Sequence, residues 1–225
     1  MYSPIREIKN EMGMNRFNVF SKRLHRKVRL YNDLQYDHWV LIETNLDINN
    51  YCEKPIKIVI SVAGEIIETI FDMWVNFADE EEFRCIKYSY EIDPTHPRAK
   101  QKMIKELYAQ QIWCKQNNKK HRILTELDIR NNPLALSNKK IISPYYLPLD
   151  EINKDLLDLL KKKTLNTTLT IRELENSVSS SFHPVTTRNC IYALIYHKIL
   201  VCDEVNQLIT SLSEVTLNES EAIEK

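Results

Sequence analysis

The sequence predicts an α/β domain followed by a smaller, all-α domain, and three observations carry that expectation. Three β-prone runs at 56–62, 66–77 and 83–90 precede a helix-period stretch at 98–117 and a further short run at 121–125. This strand–helix–strand order is that of a mixed sheet flanked by helices. A Pro/Tyr stretch at 143–148 reads as a linker, and beyond it come three short helical patterns and a brief apolar run, the order of a winged helix. The expected organisation is a basic N-terminal arm over 1–30, an α/β domain over 31–142, the linker, and a winged-helix-like domain over 149–225.

Composition narrows the chemistry. Two glycines in 225 residues compare with about fifteen in an average chain of this length. Neither a GxGxxG fingerprint nor a GxxxxGK[ST] loop can be written with Gly13 and Gly64 alone, so nucleotide chemistry of those kinds is excluded. The net charge is zero, from 31 basic and 31 acidic residues, but it is segregated: +6 over 1–30, −8 over 31–100, +6 over 101–148 and −4 over 149–225. An acidic block between basic ones suits a metal-dependent site beside phosphate-binding surfaces, and solvated surface charge gives the same counts. Apolar runs fall short of the ~18 residues of a membrane span, and residues 1–9 lack the apolar stretch of a signal peptide. A soluble, cytoplasmic protein with no membrane partner is expected. Five scattered cysteines without a CxxC pair read as reduced thiols.

Taken in order, residues 1–30 carry cations with few periodic apolar residues and read as an arm. There Arg23, Arg26, Lys27 and Arg29 would contact phosphate if DNA is the partner. From Asn32 a helix is expected, with Leu34, His38, Leu41 and Ile42 on one face and an end near Thr44–Asn45. The runs 56–62 and 66–77 flank Ala63-Gly64-Glu65 as a hairpin, and 83–90 is a third strand after an acidic connector. The 98–117 helix presents Ile104, Leu107, Tyr108 and Ile112, and a further helix from about 126 stops at Asn132-Pro133. In the C-terminal domain the helices are 149–163, 170–180 and 184–197, with Ile199–Cys202 after them and a frayed tail beyond about 211. Thr187 and Arg188 open the third of these helices, where a recognition helix meets DNA, although the acidic balance of the domain suits a protein partner equally.

One constellation carries chemistry. Strand alternation places Asp72 with Ile70, Trp74 and Asn76, and Lys87 with Phe83 and Cys85. An acid in one strand and an x-x-Lys element in the next is the skeleton of the restriction-endonuclease-like PD-(D/E)xK core. In such sites carboxylates hold magnesium at the scissile phosphate and a lysine assists the attacking water. Zinc is not indicated, because the histidines show no ligand spacing.

The stretch from Arg26 to Asn138 resembles the TnsA family, the endonuclease subunit of heteromeric DNA transposases. The matching pieces are Leu34-Gln35 through Leu41-Ile42-Glu43, the Tyr51–Pro55 lead-in, Phe71-Asp72-Met73, Cys85-Ile86-Lys87, and His121 to Arg130 followed by Asn138. The resemblance implies cleavage at transposon 5′ ends in double-stranded DNA, in a bacterial cytoplasm. It also implies a DDE-type, TnsB-like transposase subunit and a TnsC-like AAA ATPase as partners. Its catalytic positions fall at Gln35, Asp72, Cys85 and Lys87, with Mg²⁺ or Mn²⁺ on Asp72 and the Ile86 carbonyl. Two acids of the family pattern are replaced, by Gln35 and Cys85. Magnesium prefers hard anionic oxygen, so only Asp72 remains as an anionic ligand. Glu43 lies ~12 Å along the helix axis from position 35, and Asp33 and Asp37 point to other faces. The alternatives are a non-cleaving DNA- and partner-binding subunit on the same fold, or a winged-helix transcription regulator.

Overall fold

Residues 1–5 and 15–222 are described by the computed structural model, which divides into two compact units, 1–131 and 132–225. Residues 6–14 of the expected arm lie outside the described residues. The rest of the arm is not an extended tail. Strands β1 (Phe17–Ser21) and β2 (Arg26–Leu30) form an antiparallel hairpin with Phe17 opposite Leu30. Alternation missed by a count of cations explains it: Val28 and Leu30 are buried while Lys27 and Arg29 face out.

Helix α1 (Asp33–Glu43) has the expected bounds because both ends are set locally. The Asn32 side chain accepts from the Gln35 amide at 2.8 Å, and Asp33 sits in the positive first turn. At the other end Arg23 donates to the carbonyls of Ile42 (3.1 Å), Glu43 (2.9 Å), Asn45 (2.9 Å) and Ile48. A guanidinium thus satisfies acceptors that a helix C-terminus leaves open and meets its negative dipole end.

Next come β3 (Asn50–Glu53) and the hairpin β4 (Lys57–Val62) with β5 (Glu65–Ile70), which turns at Ala63 and Gly64, both at positive φ (49° and 83°). That turn geometry matches the twist of a two-residue hairpin. The expected run 66–77 is broken: β5 ends at Ile70, and β6 (Met73–Asn76) pairs with β3 in a different sheet. Phe71 is fully buried at the crossing and Asp72 is left outside both strands. The third strand is likewise shorter than expected. β7 (Glu81–Ile86) stops before Lys87, and a helical turn, α2 (Ser89–Ile92), replaces its end.

Helix α3 (Gln101–Gln116) returns the chain to β8 (Lys120–Leu124), which runs parallel to β7 and is followed by the short α4 (Glu126–Ile129). The four-stranded sheet has the order β3-β6-β7-β8, antiparallel except at β7–β8. α3 buries Leu107, Ala109, Gln110 and Cys114, whereas Tyr108 of the expected face is exposed. Helical period located the stripe approximately, and α3 packs on the β4–β5 hairpin as well as on β8. Between α3 and the sheet lies a core of Phe71, Trp74, Phe83, Cys85 and Leu107, with Phe71 and Phe83 ring centroids 4.8 Å apart.

The second unit begins earlier than the linker suggested. α5 (Pro133–Ile142) is capped by Asn132, and the linker itself is a 3-10 turn, Ser143–Tyr145. α6 (Lys154–Thr164), the two-residue β9 (Leu169–Thr170), α7 (Ile171–Ser177), α8 (Pro184–Tyr196) and β10 (Leu200–Val201) follow. The expected frayed tail instead contains β11 (Glu214–Leu217) and a last turn, α9 (Glu219–Ala222). β11 is central in an antiparallel sheet of order β10-β11-β9, with Val215 fully buried. Asn138, inside this unit, is fully buried and pins the β10–β11 connection. Its Nδ2 donates to the carbonyls of Glu204 (2.8 Å) and Gln207 (2.7 Å), and its Oδ1 accepts from the Ile209 amide (2.8 Å). Asn138→Ala is expected to cost about 2–3 kcal/mol through unsatisfied buried groups, read as faster amide hydrogen exchange at Ile209.

Candidate functional site

The end of β7, the start of β6 and the first turn of α1 bring Gln35, Asp72, Ile86 and Lys87 into one cluster. Asp72 gets there because its main chain bridges two elements: its N–H donates to the Arg84 carbonyl (3.1 Å) and its carbonyl accepts from the Lys54 N–H (3.0 Å). Its carboxylate takes three donors. Oδ2 accepts from the Ile86 amide at 2.8 Å and from Lys87 Nζ at 2.7 Å, and Oδ1 accepts from Gln35 Nε2 at 3.1 Å. Gln35 is oriented from behind, since its Oε1 accepts from the Tyr31 N–H at 3.0 Å. That contact fixes which end of the amide faces Asp72, because the reversed amide would set two donors against each other.

The Asp72 and Lys87 side chains are 10% and 19% exposed, so their ion pair is largely withdrawn from water. Burial pushes the Lys87 ammonium down, but the charge and hydrogen bond of the Asp72 carboxylate, with a contribution from Cys85, together outweigh burial and hold it above the ordinary lysine value. Glu106, on α3, adds to that field. Ile86 joins the cluster through its amide rather than through the carbonyl that the resemblance implied.

Cys85 is fully buried. Its thiol donates to Gln110 Oε1 at 2.7 Å and lies 3.3 Å from His121 Nε2, within the α3-facing core. Burial, and then the Asp72 charge, push the thiol well above its ordinary range, the opposite of a reactive thiolate. The acids that could substitute are engaged elsewhere. Glu43 accepts from Ser21 (3.0 Å) and Tyr51, and Asp37 from Arg130 (2.6 Å). Glu91 pairs with Lys100 (2.5 Å), while Glu80, Glu81 and Glu82 are held by Lys120, Lys119 and Arg84.

A magnesium or manganese ion does not fit this donor set. It would have to displace Lys87 or Gln35 from the lone carboxylate, with a neutral amide and a turned-away thiol where hard anions are needed. Among the described residues no group of three His, Cys, Asp or Glu is placed to hold a metal ion.

The other expected contacts separate into two kinds. Arg23 caps α1, and Arg26 pairs with Glu53 at 2.8 Å, so both serve the fold. Lys27 and Arg29 are exposed on the outer face of β2. In the second unit Thr187 is fully buried and therefore cannot reach DNA, and Arg188 is held in a two-point contact by Glu175 (2.7 and 2.9 Å). Lys54 and Tyr31, which sequence reasoning passed over, adjoin the cluster through the main-chain bonds to Asp72 and Gln35. No helix among the described residues is long and apolar enough to cross a membrane. The sequence matches no protein-family model, and no curated protein matches it either.

Proposed function

We propose that this chain is a DNA-binding subunit of a TnsA-like transposase assembly in which the nuclease site has become a closed ion pair that does not cut. The single observation behind this is the Asp72 carboxylate, shared among Gln35, Ile86 and Lys87, with no second acid bonded into the cluster among the described residues; Glu106 acts on Lys87 only through its field. The element order α1, β3, β6, β7, α3, β8 supports a PD-(D/E)xK-type core, with Asp72 and Lys87 at adjoining strand ends as that core requires. The order α6, β9, α7, α8, β10, β11 supports a winged helix in the second unit. In an assembly of this kind a TnsB-like transposase would perform strand transfer and a TnsC-like ATPase would regulate it.

Wild-type protein is expected to leave supercoiled plasmid intact in Mg²⁺ or Mn²⁺. Nicking that disappears in Asp72→Ala would overturn the non-cleaving reading. Gln35→Glu is expected to behave differently toward metal, because it sets a second carboxylate against Asp72 while the Tyr31 N–H still holds the side chain in place. Without metal the two anions repel, at about 1–3 kcal/mol for the lost donor. With millimolar Mn²⁺ the variant's melting temperature should rise by several degrees, roughly what one to two kcal/mol of ligand linkage gives, and the wild type's should not.

A further inference from the structure

Three adjoining hollows lie along the β1–β2 hairpin, and the one beside β3 reaches Lys54 and Tyr31, whose main-chain groups bond Asp72 and Gln35. The largest, of about 410 Å³, is lined by Arg26, Lys27, Arg29, Tyr31 and Lys54, with Glu53 as its acid. The next, about 210 Å³, shares Arg29 and Tyr31 and adds Arg16 and Phe17. The third, about 360 Å³, shares Lys27 and Arg29 and adds Phe20. Among the described residues they are lined by five cationic side chains and one acid, of which Arg26 and Glu53 pair with each other, in a chain whose net charge is zero. Glu53 is already bound, to the Arg26 guanidinium at 2.8 Å and to the Arg29 amide at 3.4 Å. Lys27 and Arg29 stand two residues apart on one face of β2, a spacing of about 6.8 Å, or two base-pair rises of B-DNA.

The end of this track is fixed by the main chain. Lys54 adopts a left-handed backbone (φ 43°), donates its N–H to the Asp72 carbonyl at 3.0 Å and accepts from the Ile5 amide at 3.0 Å. Its ammonium sits 3.8 Å over the Tyr31 ring, and the Tyr31 N–H in turn orients Gln35. A non-glycine residue held in that backbone region is a feature that the surrounding structure must enforce. By contrast α8 carries one cation, Arg188, which is tied to Glu175.

We infer that the hairpin track, from Phe20 to Lys54, holds the sugar-phosphate backbone of duplex DNA and leads it past the Asp72–Lys87 pair, and that α8 is not the DNA-reading element. This rests on the DNA-binding reading above. The charge of the track fits a polyanion, the exposed Phe20 ring fits a sugar or base edge, and the tether to Asp72 and Gln35 places that polyanion beside the former catalytic cluster.

Fluorescence anisotropy of the full chain on a 30-bp duplex, across a salt series, tests it. Lys27→Ala, Arg29→Ala and Lys54→Ala should each weaken binding roughly five- to ten-fold and lower the log K against log salt slope by about 1. Arg188→Ala, and Lys102→Ala on the exposed side of α3, should change affinity less than about two-fold, the level of an unengaged surface charge. If Arg188→Ala or Lys102→Ala weakens binding as much as the track variants, or if the Lys27→Ala/Arg29→Ala protein binds like wild type, the track is overturned while the DNA-binding reading stands. If wild type does not bind duplex at all, both fail. Binding to a 30-nucleotide single strand about ten-fold tighter than to duplex would replace the duplex backbone as occupant.

Discussion

Lys87→Met is expected to destabilise the N-terminal unit by about 2–3 kcal/mol, somewhat less than the ~3–5 kcal/mol that breaking a fully buried ion pair costs. The pair is 10% and 19% exposed, and Asp72 keeps two donors after the change, the Ile86 amide and Gln35, which limits the loss. Urea unfolding followed by tryptophan fluorescence reads this unit selectively, since Trp39, Trp74 and Trp113 all lie within residues 1–131. A cycle with Asp72→Asn should return a coupling of about 1–3 kcal/mol; additive losses would show that the two side chains do not act as a pair. The pH dependence has a definite sign. Lys87 titrates higher folded than unfolded, so the pair's contribution is complete below about pH 10.4, the unfolded lysine value. It is lost as pH rises through the raised folded value. The gap between wild type and Lys87→Met should therefore be flat through neutrality and close only in strong alkali.

Glu82→Gln should cost more, about 3–5 kcal/mol, because it strips a buried guanidinium of its counter-charge. Arg84 reaches Glu82 Oε2 through Nε at 2.8 Å and Nη2 at 2.6 Å, and the two side chains are 9% and 2% exposed. Its other neighbours include His38, whose Nε2 lies 3.2 Å away, and the Phe77 ring, 5.6 Å from the guanidinium carbon, and Glu80 adds only a weaker charge. Burial, and then the charges of Arg84 and Arg122, hold that imidazole down to about 3, so it stays neutral and offers no compensation. Burial raises the Glu82 carboxyl, but hydrogen bonds from Lys120 and Arg84 outweigh it and hold the group below its usual value. The stabilisation is thus present above the unfolded carboxyl value of about 4.3 and fades as pH falls through the lower folded one. Chemical denaturation should show a large difference between wild type and Glu82→Gln at pH 7 that narrows progressively as the pH is lowered below about 4.3. The double variant Glu82→Leu/Arg84→Met should recover most of the loss, since a packed apolar pair commonly replaces a buried ionic one at little net cost.

The cluster was partly legible because strand spacing and family resemblance both pointed to Asp72 and Lys87. Gln35 was placed by resemblance alone, and nothing in its own neighbourhood marks a helix-surface amide as the partner of an acid 37 residues away. Cys85 was named as a catalytic position, yet the same alternation that aligned it with Lys87 also fits a core residue, and burial against Gln110 decided the matter. The arm was misjudged for a comparable reason. Its cations were counted, while Val28 and Leu30, which dock the hairpin, were too few to register as a pattern.

What the sequence by itself determined is local. The bounds of α1, the turn at Ala63-Gly64, the absence of phosphate loops and the segregation of charge all depend on residues within a turn or two of one another. The tertiary structure alone decided where each charge ends. Arg23 was assigned to a helix C-terminus, Arg188 to Glu175, and the Asp72 carboxylate to donors 14, 15 and 37 residues away. The half-exposed Arg188 pairs because packing sets Glu175 beside it, while for Asp72 the physical reason is that a charge withdrawn from water must find a partner wherever the chain brings one. That partner is set by packing across the sheet, which no window along the sequence contains.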